Sequence, residues 1–570
     1  MSIASNFPAI KPTLLLDFAN TEALDPRITF TRASTATYYG TQTAKAEENL
    51  LAFSQDFNET TWGKTDASVS ANTVAAPDGT TTADTLTFTS AGGNQRVTAT
   101  SPTLGSQNYV FSVFLKGTAG QTVTIEFDAT ASAVTLTASW ARYTVSGSAT
   151  TTSSVVRIIS RTGNTATVFD IWGAQLEQRS AVSAYTATTT QAITNYIPVL
   201  KTAASGVARF DHNPTTFESL GLEIEESRTN LVLRSEEFDN AAWAKTASSI
   251  TANTIVAPDG TLTGDKLVED TSTGGHLVLQ SVTLADSTTC TVTVFVKAAE
   301  RIWVAVGLTD KANTNNRVWF NASTGAQGTT NGTVSAASAT SVGNGWWRFS
   351  ASVSSATGAT TPSVRISLGS ADDTAAYTGD GYSGLFIWGA QLEAGAFATS
   401  YIPTVASQVT RAADAASMTG TNFSSWYNAA EGSLYADALR VNIPVSANTT
   451  LADISDGTTN NRIRFWVWSG ATSTLRFTVV NGTNQADLSL GTLSSGVAFK
   501  AAGAYRVNDF AGSLNAGTVL TDTSGSVPSG LSRFDIGAAG TTGEAFNGTI
   551  RKIAYYPIRV SNTNLQALTS

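Results

Sequence analysis

A single cysteine, Cys290, stands in 570 residues, which excludes an intramolecular disulfide framework. Its place at the start of an apolar strand-length run marks it as a small buried residue. The only histidines, His212 and His276, lie far apart and leave little room for histidine-based metal or acid–base chemistry. Charge is scarce, 14% of the chain, and it leans acidic: 34 Lys plus Arg against 43 Asp plus Glu, a formal −9. A basic face for nucleic acid is therefore not expected. No apolar run approaches the roughly 18 residues of a membrane span. The opening MSIASNFPAIKPTLLLDF lacks the basic-then-apolar layout of a secretory signal, so synthesis in a reducing cytoplasm is expected. The 46 glycines follow no fixed period and prolines number only 13, which excludes a collagen-like chain.

What is present is core-forming material. Hydrophobic residues make up 42%, with 12 Trp, 25 Phe and 14 Tyr, which argues against global disorder. At about 150 residues per domain, the length predicts three or four domains. Segments such as Asn108–Lys116, Thr291–Lys297 and Ser363–Leu368 alternate or run apolar over strand length, and Gly, Asn, Asp and Ser clusters separate them. Many short strands joined by turns predict sandwiches or barrels, an all-β protein. Helix is expected only at Asn422–Ala430 and at Ser561–Leu568.

An internal repeat organises the chain. Asn49 against Asn230 and Trp62 against Trp243 share an offset of 181 residues (230 − 49, 243 − 62), and ANTVAAPDGT at 71–80 matches ANTIVAPDGT at 252–261. The shared Pro-Asp-Gly is a tight-turn signal. IWGAQLE occurs at 171–177 and again at 387–393, an offset of 216, so the second copy carries 35 more residues (216 − 181). Most fall between Ala299 and Gly345, and an added hairpin is expected there. Each copy has the length of a jelly-roll sandwich. Strict alternation in IWGAQLE puts Trp172, Ala174 and Leu176 on one face and Ile171, Gly173, Gln175 and Glu177 on the other. Trp172 and Trp388 then read as core anchors. The resulting division is a leader at 1–47, a first jelly roll at 48–198, a connecting segment at 199–227, a second jelly roll at 228–407 with its insertion near 299–345, and a further β-sandwich at 408–570.

Several long strings carry a resemblance. LDPRITFTRASTATYYG (24–40), GVARFDHNP (206–214), LGLEIEESRTNLVLRSEEFDNAAW (220–243), IWGAQLE with SYIPT at 400–404, and NGTIRKIAYYPIRVSNTNLQALT (547–569) resemble bacteriophage and prophage tail proteins. The copies resemble carbohydrate-binding-module-like jelly rolls. The last unit is similar to concanavalin A-like lectin and glucanase domains. The resemblance implies a virion protein, made in the host cytoplasm, whose leader anchors it to other virion proteins by strand addition and which meets host-surface polysaccharide. It implies a homotrimer, although no long heptad repeat enforces one. In such relatives TRASTATY is followed closely by the RFDH-like segment. Here a whole jelly roll sits between them, which leaves open whether leader and connecting segment fold together.

No catalytic pattern accompanies these strings. The last unit has no ExDxE run of the kind that supplies a glucanase with nucleophile and acid, and the chain has neither G-x-S-x-G nor HExxH. Gly63-Lys64-Thr65 matches the end of a P-loop, but Asn58 stands in place of its first glycine. Glycan contact is the better-supported chemistry, because aromatic faces stack on C–H-rich sugar faces and Arg supplies a fork of donors. In Arg462–Trp468, Ile463, Phe465 and Val467 form the natural core face and leave Arg462, Arg464, Trp466 and Trp468 on the other, either for glycan or covered with Arg stacked on Trp. Trp346 and Trp347 are a second candidate; one of the two has to leave the core face, as a sugar platform or beneath the insertion. Asp372, Asp373 and Asp380 are a candidate calcium site, since calcium takes six to eight oxygens; a solvated loop is the other reading. Three functions compete: a non-catalytic tail protein that binds host glycan, a capsid decoration or head-fibre protein, and a polysaccharide depolymerase.

Overall fold

The computed structural model describes residues 11–89, 93–149, 153–440, 448–469, 472–539 and 544–570. These residues form antiparallel sheets, with helices only at Phe18–Thr21, Thr421–Ser424 and Asn562–Leu568. The all-β sandwich class expected from the strand pattern is the class observed. The helix expected at Asn422–Ala430 is reduced to the single turn Thr421–Ser424. The one at the end forms as Asn562–Leu568, with the Ser561 hydroxyl accepting from Asn564 N at 3.3 Å as its cap.

The two copies are sandwiches of matching plan. The first has two five-stranded sheets and the second two six-stranded sheets. The additional residues do not form a hairpin on one sheet. Gln327–Asn331 lengthens one sheet at its edge and Val334–Gly343 lengthens the other, with Gly332 at φ +70° at the crossover between them. Splitting the pair keeps the two sheets equal in width. Val334, Ala337 and Ala339 can then pack on the shared core.

The same buried polar frame holds both copies. Asn49 Nδ2 donates to Ala174 O and Thr186 O, and Asn230 Nδ2 donates to Ala390 O and Ile402 O. Asp84 accepts from Phe57 N and Asn72 N, and Asp265 accepts from Phe238 N and Asn253 N. Trp62 and Trp243 each donate an indole N–H to a loop carbonyl, of Phe53 and Arg234. Buried polar groups that find all their partners specify one geometry, and here they specify it twice.

Strict alternation fails within IWGAQLE. Gly173 and Gly389 have φ of +63° and +61°, and each marks a bulge. Ile171, Ala174 and Leu176 consequently face the core between the sheets, while Trp172 turns to the outer face. Both tryptophans are buried as expected, but under other elements. Trp172 lies beneath Tyr185, with ring centroids 4.6 Å apart. Trp388 lies in a cluster with Phe295, Trp346 and Tyr401.

Leader and connecting segment do fold together. Ala36–Asn49 pairs along its length with Ile193–Ala203, so the first sandwich is an excursion from a two-stranded ribbon. Ala46, Ile197 and Leu200 of that ribbon lie on the outer face of the second sandwich. The last sandwich does not begin at 408. Its eight-stranded sheet includes Leu14–Leu16, Phe210–His212 and Ser219–Ile224, and its seven-stranded sheet begins with Thr29–Thr31. The leader expected to add a strand to another virion protein adds it to this chain: Leu14–Leu16 pairs with Ile553–Tyr555, and Leu14 and Leu16 are buried. The edge of Gly548–Tyr556 is apolar and would otherwise be open. Residues 1–10, the start of that leader, lie outside the described residues.

One ionic cluster ties these pieces. Arg209, fully buried, donates through Nη1 to Thr37 O (3.0 Å), Glu225 Oε2 (2.8 Å) and Ser400 Oγ (2.9 Å), and through Nη2 to Asp414 Oδ2 (2.6 Å). Arg32 takes the other oxygen of Asp414 at 3.0 Å, and Arg411 lies 3.4 Å from Glu225. Removing one member of such a cluster strands buried charge, which costs about 3–5 kcal/mol. We expect Arg209→Met to lower the unfolding free energy of the last sandwich by that order. Arg506→Ala, which breaks an exposed pair with Asp509, should cost less than about 1 kcal/mol. Equal, small effects in urea unfolding would refute the cluster's role.

Candidate functional site

The candidate site is the outer face of the seven-stranded sheet of the last sandwich. Asn461–Ser469 is a central strand between Thr449–Ser455 and Ser473–Asn481. Ile463, Phe465 and Val467 are in the core, as their spacing predicts, and Arg462, Arg464, Trp466 and Trp468 share the opposite face. The neighbouring strands complete that face. Asp453 is opposite Arg464, Trp466 is opposite Arg476, and Asp487 is opposite Thr478.

The four residues do not have equal access. Arg462 is only 2% exposed, with Nη2 donating to Thr458 O at 3.3 Å and 4.0 Å from Asp453. Arg464 stacks on the Trp466 ring at 4.3 Å and meets Glu544 at 3.3 Å. Trp466 is 9% exposed and gives its indole N–H to Thr478 Oγ1 at 2.7 Å. Trp468, at 43% exposed, is open. Arg476 lies 5.9 Å from the Trp468 ring and is held by both oxygens of Asp487, each at 2.9 Å. The face thus has a closed, ion-paired end and an open end of Trp468, Arg476 and Asp487. A flat aromatic beside a fixed donor fork and an acceptor pair suits a polyhydroxylated ring. Arg476 and Asp487 escaped the sequence reading. Their side chains follow the same alternation, but their place beside Trp468 depends on strand register.

At the closed end Asp453 and Asp535 are cross-strand neighbours, and both are buried. Neither carboxyl is open to a ligand. Burial pushes Asp453 up to about 6, against the pull of Arg462 and Arg464.

The other candidates lie elsewhere. Trp346 is fully buried against the ribbon and donates to Val256 O at 3.1 Å. Trp347 packs on the core side, parallel to Phe349, with Gly325 of the insertion directly over its ring. Neither forms a sugar platform, and neither belongs to the Trp468 face. Asp372 accepts from Thr329 N and Oγ1, Asp373 from Asn331, and Asp380 closes a turn onto Tyr382 N and Ser383. The three are spent on separate tasks, and among the described residues no group of three His, Cys, Asp or Glu is placed to hold a metal ion. Cys290 is buried at a strand start, which pushes its thiol up to about 12. No helix of the described residues is long and apolar enough to cross a membrane.

No family model and no curated protein matches the chain. Among solved structures, it is similar to the CBM40 of a Ruminococcus gnavus IT-sialidase, with 14% identity, 26% of this chain and 88% of that one covered, and a TM-score of 0.23. It is similar to the CBM22-1-CBM22-2 tandem of Paenibacillus barcinonensis Xyn10C, with 13% identity, 62% and 99% covered, and a TM-score of 0.21. It is also similar to the LG1-3 region of the laminin alpha2 chain, with 8% identity, 81% and 96% covered, and a TM-score of 0.20. TM-scores this low carry no weight for function.

The position of Asp453 gives a pH test. A carboxyl raised on folding binds its proton more tightly in the folded state, so stability falls as pH rises from about 4 through 6 and stays lower above. Asp453→Asn removes that penalty. Its melting temperature should exceed wild type at pH 8 and equal it near pH 4. A lower value at pH 8 would mean that Arg462 and Arg464 make the charge net stabilising.

Proposed function

We propose that this protein is a non-catalytic virion protein of a phage tail, which binds host-surface glycan through the open end of the last sandwich's outer face. The observation that carries the glycan reading is Trp468, an exposed indole on a strand otherwise fully used, flanked by the Arg476–Asp487 pair. The tail assignment is supported by the strings at 24–40, 206–214, 220–243 and 547–569. The mechanism is reversible adsorption. One ring stacked on one indole is a weak contact with a wet ligand, and a homotrimer with several sites per particle would raise it through effective concentration.

Two measurements test this reading. The purified protein should bind immobilised bacterial surface polysaccharide. Trp468→Ala should weaken that binding at least about tenfold, roughly 1.4 kcal/mol, with the melting temperature unchanged; unaltered binding would remove the site. Immunogold against residues 408–570 on purified particles should decorate the distal tail. Label over the capsid would favour a decoration protein, and sugar release from the polysaccharide would favour a depolymerase.

A further inference from the structure

A cavity of about 420 Å³ lies where the second sandwich, the ribbon, the connecting segment and the last sandwich meet. Its floor is the outer face of the second sandwich: Thr293, Phe295, Arg348 and Ser350. Its roof includes Tyr39, Glu223 and Thr549. Ser338 and Thr340, exposed on the added edge strand, line its mouth. This volume is at the small end of the range for small-molecule sites, roughly 300–1,000 Å³, and limits an occupant to one or two rings.

Arg348 is the anomaly in this cavity. Its guanidinium lies over the Phe295 ring at 5.5 Å and makes one hydrogen bond, from Nη2 to Thr293 Oγ1 at 3.2 Å. Nε is buried without a partner. No carboxylate of the described residues lies within 4.0 Å of it. The nearest acids are committed elsewhere: Glu393 to Thr399, and Glu225 to Ser400, Arg209 and Arg411.

The repeat supplies an internal control. Arg142, at the matching place in the first copy, lies over Phe114 at 5.3 Å and shares the unpartnered Nε, but both of its terminal nitrogens donate, to Ser183 O at 2.6 Å and Ser112 Oγ at 3.0 Å. Thr293 stands where the first copy has Ser112, so one contact is kept. The contact to a backbone carbonyl is not, and among the described residues Nη1 of Arg348 makes no hydrogen bond, in a side chain that lines the cavity. The Tyr39 hydroxyl and Thr549 Oγ1 are also buried without partners. A half-buried guanidinium with a single hydrogen bond, beside two buried hydroxyls without partners and an apolar wall, is the arrangement of a ligand pocket.

We propose that this cavity is a binding site for a carboxylate-bearing ligand the size of a single sugar unit, an acidic monosaccharide, whose carboxylate pairs with Arg348 and whose ring packs among Phe295, Val342 and Tyr401. The assignment is independent of the Trp468 face. The acids that line the cavity are already engaged: Glu223 pairs with Arg209 Nη1 at 2.8 Å, Glu225 with Arg209 and Ser400, and Asp211 accepts from Tyr39 N at 2.8 Å.

The test is calorimetry on the full chain with D-glucuronate and D-galacturonate as probes and D-glucose as the neutral control. At least one uronate should bind at least tenfold more tightly than glucose, and Arg348→Gln should reduce that binding at least tenfold. Thr340→Trp, an exposed substitution that leaves Arg348 in place and narrows the mouth, should abolish it with no change in melting temperature. Trp468→Ala should leave it intact, which separates this site from the outer face of the last sandwich. Equal affinity for glucose, wild-type binding by either cavity variant, or no heat from either uronate up to about 10 mM would overturn the proposal.

Discussion

A guanidinium buried in a dry environment needs partners, and the terminal nitrogens of Arg209 find them on pieces of chain that lie far apart in sequence. Its partners come from the ribbon (Thr37), the connecting segment (Glu225), the end of the second copy (Ser400) and the start of the last unit (Asp414). Any displacement of one piece strands charge in a dry environment. The relative placement of the second and last sandwiches is therefore tied to this cluster. It also explains how a whole sandwich can be threaded into the leader without loss of the leader's fold. The ribbon Ala36–Asn49 with Ile193–Ala203 brings both ends of the excursion back to the same junction.

The repeat shows how one frame serves two purposes. The interior is set by the same buried Asn, Asp and Trp hydrogen bonds in both copies, and these fix strand placement. The outer faces differ because their surroundings differ. In the first copy Tyr185 lies over Trp172, and both terminal nitrogens of Arg142 donate hydrogen bonds. In the second, the ribbon and the last sandwich cover the equivalent face, the arginine loses a carbonyl partner, and a cavity remains. A binding pocket arises here from imperfect closure between domains, a common location for small-molecule sites.

The Trp468 face follows a different logic. Arginine and tryptophan on one strand compete for each other. Where an ion pair and a stack are both available, as at Arg464 and Trp466, the side chains satisfy one another and the surface closes. Where the strand runs on to Trp468, the neighbouring Arg476 is already held by Asp487, and the indole is left uncovered. Openness at one position is thus a consequence of satisfaction at its neighbours.

Much of this was legible in the residues alone. Alternation over strand length determined the all-β class, and it placed Ile463, Phe465 and Val467 inward. The constant offset between Asn49 and Asn230 and between Trp62 and Trp243 determined the duplication, because a buried side chain with a fixed set of backbone partners has few substitutes. Tertiary structure decided the rest. A glycine at positive φ reset the alternation of IWGAQLE and sent Trp172 to the other face, since a bulge shifts parity without leaving a periodic trace. The leader's LLL strand found its partner inside the chain, because the apolar edge it covers lies more than five hundred residues away. Which tryptophan stays open, which arginine stays unpaired, and where the insertion's two strands go all depend on register and on contacts between domains. Local sequence carries periodicity and propensity; it does not carry the identity of the neighbour across the sheet.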